Sequence, residues 1–419
     1  MKYFILFISA LIVQSVSAQI DTTYYDDGTI QSTGSWKNEK REGEWIQYSE
    51  GGIKYIVGHF KVGIPTGNWK EYYPNQQLKK DGDFLDGKTH GKVLGYYENG
   101  NSNYIEHYDK GAKEGEQRYF YEDGNLRGIE NYSKNELHGA YTEFYNDGQV
   151  KAEEFFNTGI EDSTSYGYFQ NGQLRSSGTW ALGVHIGFWR QYFESGDLQH
   201  IQQFDELGRK TNRWIYYFQS GKTLGIAHYI EDKPDSIWIG YFENGKIKSR
   251  EIYANGVEQG DWVYYHENDT LMGKKRWIDG ERQGDWTEYH ENGQLKTSVT
   301  FVDGQPEGQS LEFAIDGKQK MVTSWALGKQ TGPFKSFHEN GFLKSKGVLI
   351  DGKQDGNWLD YNEDGILALK YSYADGKKNG EWTFYHSNGE VYKIGEFEMG
   401  EQVGDWLEYD EDGKQVETN

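Results

Sequence analysis

No cysteine occurs among the 419 residues, which excludes disulfides, thiolate zinc sites and a cysteine-borne lipid anchor. That absence leaves the redox compartment open. Hydrophobic residues are scarce at 35%, below the usual ~45–50%. A chain this poor in aliphatics cannot fill one large round core. Basic residues are outnumbered, with 44 Lys and Arg against 66 Asp and Glu and a net charge of −22. Such a surface repels phosphate backbones and anionic headgroups, so no nucleic acid and no direct anionic-membrane binding are expected. Past the first residues, no apolar run is long enough to cross a bilayer. No apolar stripe of period 3.6 is present either, so helix content near zero is expected.

What the chain has instead is glycine, 54 residues, and aromatics, at 16%. Each aromatic side chain buries ~150–250 Å², so rings spaced by glycine can fill a long thin core. The first residues differ in kind. Lys2 precedes an apolar run over 3–13, then Val16, Ser17 and Ala18 before Gln19. A basic start, a short apolar core and small residues describe a secretory signal peptide over 1–18. Gln19 argues against lipoprotein processing. The mature chain, 19–419, is expected to be exported to the periplasm, the cell surface or the medium of a bacterium.

From Asp21 onward the chain repeats itself. A turn position, usually glycine, recurs at 28, 52, 76, 100 and onward to 413, with a step of 24 residues except for one step of 25 between Gly196 and Gly221. Four residues before each turn stands an aromatic, as at Tyr48, Tyr72, Tyr289 and Tyr385. Eight residues after it runs a second aromatic rail, including Trp36, Phe60, Phe204, Trp277, Phe301 and Trp325, with Leu349 its one aliphatic member. A third rail places Trp two residues after a glycine, at Trp45, Trp69, Trp189, Trp214, Trp238, Trp262, Trp286, Trp358, Trp382 and Trp406. A fixed internal period of this kind dictates architecture.

Asn-Gly and Asp-Gly pairs favour the primed turns of β-hairpins, so each repeat is read as two strands around the turn glycine, with a glycine-rich connection to the next. A lone hairpin is marginal in water, and neighbours must stabilise it. The predicted fold is all-β: an elongated single-layer antiparallel sheet of about 16 tandem 24-residue β-hairpin repeats. Trp and Tyr three apart in one strand point to opposite faces unless a bulge intervenes. The Tyr rail and the second rail are expected to share the buried side. The Trp rail is expected to lie over the inter-hairpin glycines, partly exposed, because it is missing at Val93, Gln117, Tyr141, Ser165, Ser310 and Phe334. Irregular repeats around 158–165 and 205–236, where Ser163, Asn212 and Ser236 replace phrase glycines, read either as loop drift or as a local site or bend.

The phrase Gly-x-Trp-x-x-Tyr-x-x-x-Gly-x-Leu, as in Gly284 to Leu295 and Gly187 to Leu198, resembles the MORN-variant repeat found in tandem in bacterial proteins. The resemblance covers the chain from residue 21 onward. It implies hairpins in elongated sheets and a role as a protein-binding or dimerising scaffold. Some relatives resemble the antitoxin half of toxin–antitoxin pairs. It offers no catalytic residues.

His266, His290 and His338 stand beside turns without the second ligand of a zinc motif and read as solvent-facing hairpin residues. Acidic turns such as that ending at Gly28 read as hairpin turns, since a calcium loop needs six to eight oxygens from one framework. No nucleophile elbow, P-loop or dinucleotide fingerprint is found. The expected function is an exported, non-catalytic, cofactor-free scaffold for protein partners. The alternatives are a polysaccharide- or envelope-binding module, which makes carbohydrate the second partner class, and an antitoxin-like neutraliser. The candidate binding surface is Trp189, Trp214, Trp238, Trp262, Trp286, Trp358, Trp382 and Trp406, since exposed rings stack on sugars and cations.

Overall fold

The computed structural model of the chain describes residues 19–416, so the signal peptide expected over 1–18 lies outside the described residues. Among the described residues the regular elements are β-strands throughout, and no helix occurs. The chain divides into two compact units, Met1–Leu198 with Glu206–Gly208, and Gln199–Asp205 with Arg209–Asn419. The division falls inside the single 25-residue step of the repeat. In the first unit Ile30–Lys37, Lys40–Tyr48, Lys54–Lys61 and Ile64–Tyr72 pair antiparallel in chain order, and the pattern continues. In the second unit Asn212–Tyr217, Thr223–Ile230, Ser236–Tyr241 and Ile247–Ala254 do the same. The tandem-hairpin, all-β class read from the turn spacing is the fold of each unit.

The turns are the reverse of what the sequence predicts. At the Asn-Gly position of one repeat, His290 N–H donates to the Gln294 carbonyl at 2.8 Å and Gly293 N–H to the His290 carbonyl at 2.8 Å. Only Gly293 has positive φ there, +82°, and Asn292 Oδ1 accepts from Gln294 N–H at 3.0 Å. This is a three-residue loop, 291–293, ending in one left-handed glycine, with the register shifting between Glu288 and Tyr289. The primed turn sits in the other connection, where Asp303 (φ +47°) and Gly304 (φ +77°) are both left-handed and two residues join the strands. A two-residue primed turn of this type needs positive φ at both positions to match strand twist; a three-residue loop needs it only at the last.

Both edges of the sheet are laced from repeat to repeat. On the Asn-Gly edge the residue opening the loop reaches the next repeat's rail carbonyl: Tyr73 Oη donates to Tyr96 O at 2.8 Å and Tyr97 Oη to Phe120 O at 2.7 Å. The same edge carries an asparagine ladder, in which Asn292 Nδ2 donates to Ile315 O at 2.7 Å and Asn99 Nδ2 to Glu122 O at 2.9 Å. On the opposite edge the connector glycine donates backwards, as Gly304 N–H does to Arg282 O at 3.0 Å.

The phrase glycine before each Trp is also left-handed, as at Gly260 (φ +66°). Ser163 (φ +73°), Asn212 (φ +53°) and Ser236 (φ +59°) keep that backbone without being glycine. The irregular repeats thus retain the phrase geometry under strain. A left-handed non-glycine residue costs of order 1–3 kcal/mol. Ser236→Gly is therefore expected to stabilise the protein by about 1 kcal/mol, because the exposed Ser236 bonds only the neighbouring Asp235 carboxylate, which keeps its bond from Asn255 N–H. The midpoint of guanidinium unfolding checks this; an unchanged or lowered midpoint contradicts it.

Candidate functional site

The strand register decides which rings meet. Trp45 pairs with Gly34 on one side and Gly58 on the other. A β-carbon added at Gly34 would lie 2.3 Å from the Trp45 ring, and one at Gly178 would lie 2.1 Å from Trp189. Glu251, Lys275 and Tyr371 hold the equivalent strand position before Trp262, Trp286 and Trp382. The indole of Trp45, like those of Trp69, Trp189, Trp358 and Trp406, lies flat on a glycine in the middle of the neighbouring strand, not on the inter-hairpin glycines. Its partners are the second-rail rings. In the second unit, pairs of adjacent rings run from Phe204–Trp214 at 5.3 Å through Trp262–Trp277 at 5.4 Å to Trp286–Phe301 at 4.9 Å. The Trp rail and the second rail share one face, which corrects the expectation that the Tyr rail and the second rail do. The register shift beside each rail Tyr keeps it apart from the Trp three residues earlier.

This face is the core. Trp358 is 3% exposed, Trp214 4%, Trp382 6% and Trp262 8%, while Trp189, Trp238, Trp286 and Trp406 are half-buried. The expectation of an exposed Trp rail is corrected accordingly: the proposed binding rings are the packing of the sheet. Several are anchored further. Trp286 Nε1 donates to Arg276 O at 3.1 Å and Trp262 Nε1 to Ile252 O at 2.9 Å, the carbonyl preceding the second-rail ring.

Where the Trp is missing, Val93, Gln117 and Ser165 are buried, while Tyr141, Ser310 and Phe334 are half-buried. Val93 and Gln117 are both 0% exposed. Gln117 faces Glu130 where Trp69 faces Gly82. Its amide accepts from His107 N–H at 2.6 Å and donates to the carbonyls of His107, Glu114 and Gly115. Beside it lies a polar cluster that sequence reading missed. Glu106 bonds Lys113 Nζ at 2.7 Å, Tyr108 Oη at 2.8 Å and Tyr119 Oη at 3.2 Å. Burial by itself raises a carboxyl, but the bonds from Lys113 and Tyr108 outweigh it and hold Glu106 below its ordinary value. Tyr108 and Tyr119 are pushed up by burial and by Glu106, and Tyr132 up to about 12 by burial and its bond to Glu130. The signal for this cluster was present: Glu106, Glu130 and Glu154 occupy the strand position that holds Gly34, Gly58 and Gly82 in the first repeats.

The sign of the pH dependence follows. A carboxyl whose pKa is lowered by folding adds stability above its unfolded pKa, and loses it as pH falls through the folded value. Lys113→Met removes the cation and leaves burial dominant, so the Glu106 pKa rises. The loss of thermal stability on acidification is expected to begin at higher pH in the variant, followed from about pH 7 to about pH 3. Coincident acid profiles would show that Lys113 is not the controlling charge.

The histidines are also relocated. His266, His290 and His338 are half-buried, and Nε2 of each donates to the next repeat's rail carbonyl at 2.9, 3.1 and 2.8 Å. They replace Tyr73 or Tyr97 in the edge ladder, which corrects their reading as solvent-facing. A carbonyl only accepts, so the proton sits on Nε2 and that nitrogen is not free to ligate a metal.

Two adjoining hollows open on the ring face of the second unit. One, of about 550 Å³, is lined by Tyr264, Met272, Lys275, Glu288, Lys296 and the edge histidines His266 and His290 among others. Lys275 Nζ stands 5.4 Å from the Tyr264 ring and 5.2 Å from Trp286. The other, of about 400 Å³, is lined by Val299, Phe301, Ser310, Met321, Thr323 and Trp325 with Arg282 and Glu312 at hand. They meet where Glu288 of the first pairs with Thr297 of the second. Shallow, ring-lined and bordered by both charge signs, they suit an extended chain better than a small substrate.

Comparison with known proteins agrees with the repeat. The family described as MORN repeat variant matches segments 65–86, 89–110, 113–134, 137–158, 234–255, 282–303 and 378–399. Segment 282–303 runs from the phrase strand through the Asn-Gly loop to the end of the second strand, which is one hairpin. No curated protein matches. Among solved structures, TcdB2-TccC3-Cdc42 aligns at 11% identity over 94% of this chain and 27% of that one, with a TM-score of 0.14. The Photorhabdus luminescens Tc holotoxin pore aligns at 14% identity over 92% and 22%, with a TM-score of 0.16. The chain therefore spans about a quarter of those chains, and superposition at that level carries no argument. The period, the hairpin in each matched segment and the seven matches converge: this chain carries tandem MORN-variant repeats.

Proposed function

We propose that the protein is an exported, non-catalytic scaffold that binds protein partners on the ring face of its second unit. The observation that carries this reading is the pair of adjoining hollows between residues 264 and 325. Smaller hollows also open on this face, of about 130 Å³ beside Trp69 and Val93 and about 200 Å³ beside Tyr216 and Trp238. Aromatic rings with Arg, Lys and Glu at the border form the chemistry from which protein interfaces draw their hot spots. Among the perturbed titratable groups, Glu106 and Lys113 neutralise one another, an arrangement that supports structure more than proton transfer. Export rests on the basic, apolar and small-residue pattern of the first eighteen residues. The burial of Trp262 and Trp358 weighs against sugars stacking on those rings.

Crosslinking in the native envelope fraction tests the proposal, with photoreactive groups placed at Lys275 or Met321 and, as control, at Tyr119. Adducts to one protein from the first two positions and none from Tyr119 support it. Glycan-array binding that is lost in Trp262→Ala with Trp286→Ala, and no protein adduct, would replace it with the carbohydrate reading.

A further inference from the structure

The 400 Å³ hollow has a specific origin. Ser310 stands at the Trp-rail position, 24 residues after Trp286 and 48 before Trp358. Two other missing indoles leave no exposed position: Val93 and Gln117 are fully buried, the latter against Glu130, and the hollow beside Val93 is smaller, about 130 Å³. At Ser310 the facing residue is Thr323, and the strand before carries Val299 opposite Trp286. Neither fills an indole's volume, and the space stays open. The ring pairs run up to Trp286–Phe301 and resume at Phe334–Trp358, so the hollow falls at the gap in the ladder. Trp325 turns its Nε1 to Ser310 Oγ at 2.9 Å and forms one wall; Phe301 forms the other. Met321, 36% exposed, stands at the mouth.

We propose that this hollow receives a single tryptophan side chain of a protein partner, seated where Trp286 and Trp358 sit in their own repeats. The proposal rests on the protein-binding reading above and names its anchor. Two features select an indole. The place is flanked by second-rail rings, as the native indoles are, and offset or edge contacts between aromatic rings favour an aromatic guest. The register also supplies an acceptor. Trp45, Trp262 and Trp286 donate to the carbonyl ten residues earlier, and for position 310 that residue is Thr300. A guest indole N–H meets an acceptor there that a phenyl ring cannot use. Arg282, which lies 5.1 Å from the Trp286 ring and 5.3 Å from Phe301, borders the site with a cation able to pair a carboxylate beside the partner's tryptophan.

The probe is 5-fluoroindole, followed by fluorine NMR with the full chain, with N-acetyl-tryptophanamide and N-acetyl-phenylalaninamide as competitors. The wild type is expected to broaden and shift the fluorine line, and the tryptophan amide to displace it at a concentration about ten-fold lower than the phenylalanine amide. Ser310→Trp fills the place from within and is expected to abolish the effect. Met321→Arg, at the exposed mouth, gives a second variant that does not depend on repacking the core. Retained binding in both variants, or equal displacement by the two amides, overturns the proposal. The crosslinking of the preceding section is then repeated with Ser310→Trp. Loss of the partner adduct supports the anchor; an undiminished adduct overturns it while leaving the protein-binding reading intact. Fluoroindole binding with no adduct in the wild type overturns that reading instead.

Discussion

Trp358→Ala is expected to lower stability by about 3–5 kcal/mol, the range for deleting a large buried ring. Trp358 is 3% exposed and centred in a cluster with Leu349, Tyr371 and Trp382, against which Phe334 packs. Its ring centroid lies 5.5 Å from Phe334 and 6.3 Å from Tyr371. Its Nε1 has no hydrogen-bond partner, so the loss is one of ring burial, and Trp358→Phe is expected to cost less than half as much. Because each repeat is held by its neighbours, the damage spreads along the array before it spreads across it. Hydrogen exchange should show the strands Leu343–Ile350, Lys353–Tyr361 and Leu367–Ala374 losing protection first, with the first unit unchanged. A control at Phe188, which is 50% exposed, should cost under about 1 kcal/mol. Equal losses at Phe188 and Trp358 would show that the ring face is not the core.

Gly347→Ala attacks the same place from beneath. Its added β-carbon would stand 2.2 Å from the Trp358 ring, and Phe334 and Tyr371 leave the ring little room to move. Overpacking of this kind costs about 1–3 kcal/mol and occasionally more, and the upper end is expected here. The first unit shows the remedy. Gly82 lies against Val93, where the added carbon would be 2.9 Å from a methyl group, a much milder clash. Gly347→Ala with Trp358→Val should therefore be more stable than the sum of the two single changes predicts, by about 1–3 kcal/mol. A double-mutant cycle read by denaturant unfolding measures this. Additivity within about 0.5 kcal/mol would mean that the glycine is not there to make room for the indole.

The glycine that faces Trp45, Trp69, Trp189, Trp358 and Trp406 explains why facing was misread. Trp286 and Tyr289 are three apart, and the alternation of a strand assigns them to opposite faces without saying which is buried. The answer lies in the strand next door, where Gly34 or Gly347 leaves space for a ring. The turns were misplaced for a related reason. Asn292-Gly293 and Asp303-Gly304 look alike as dipeptides, but the first closes a three-residue loop and the second is a two-residue one. Loop length, set by where pairing resumes, chooses between a lone left-handed glycine and a primed pair. The edge ladder of His266 and Tyr73 joins carbonyls one repeat away, which no local pattern displays. In the hollow at Ser310, the missing Trp was visible, but the failure of Val299 and Thr323 to refill its place was not.

The sequence by itself determined the 24-residue period and, among the described residues, the absence of helix and the succession of hairpins, because turn chemistry and strand alternation act over a few residues. Only the tertiary structure decided which face is buried, which vacancies are filled and where one stays open. Those outcomes depend on size matching between residues such as Gly34 and Trp45, or Gln117 and Glu130, which belong to different strands and meet only once the register is set.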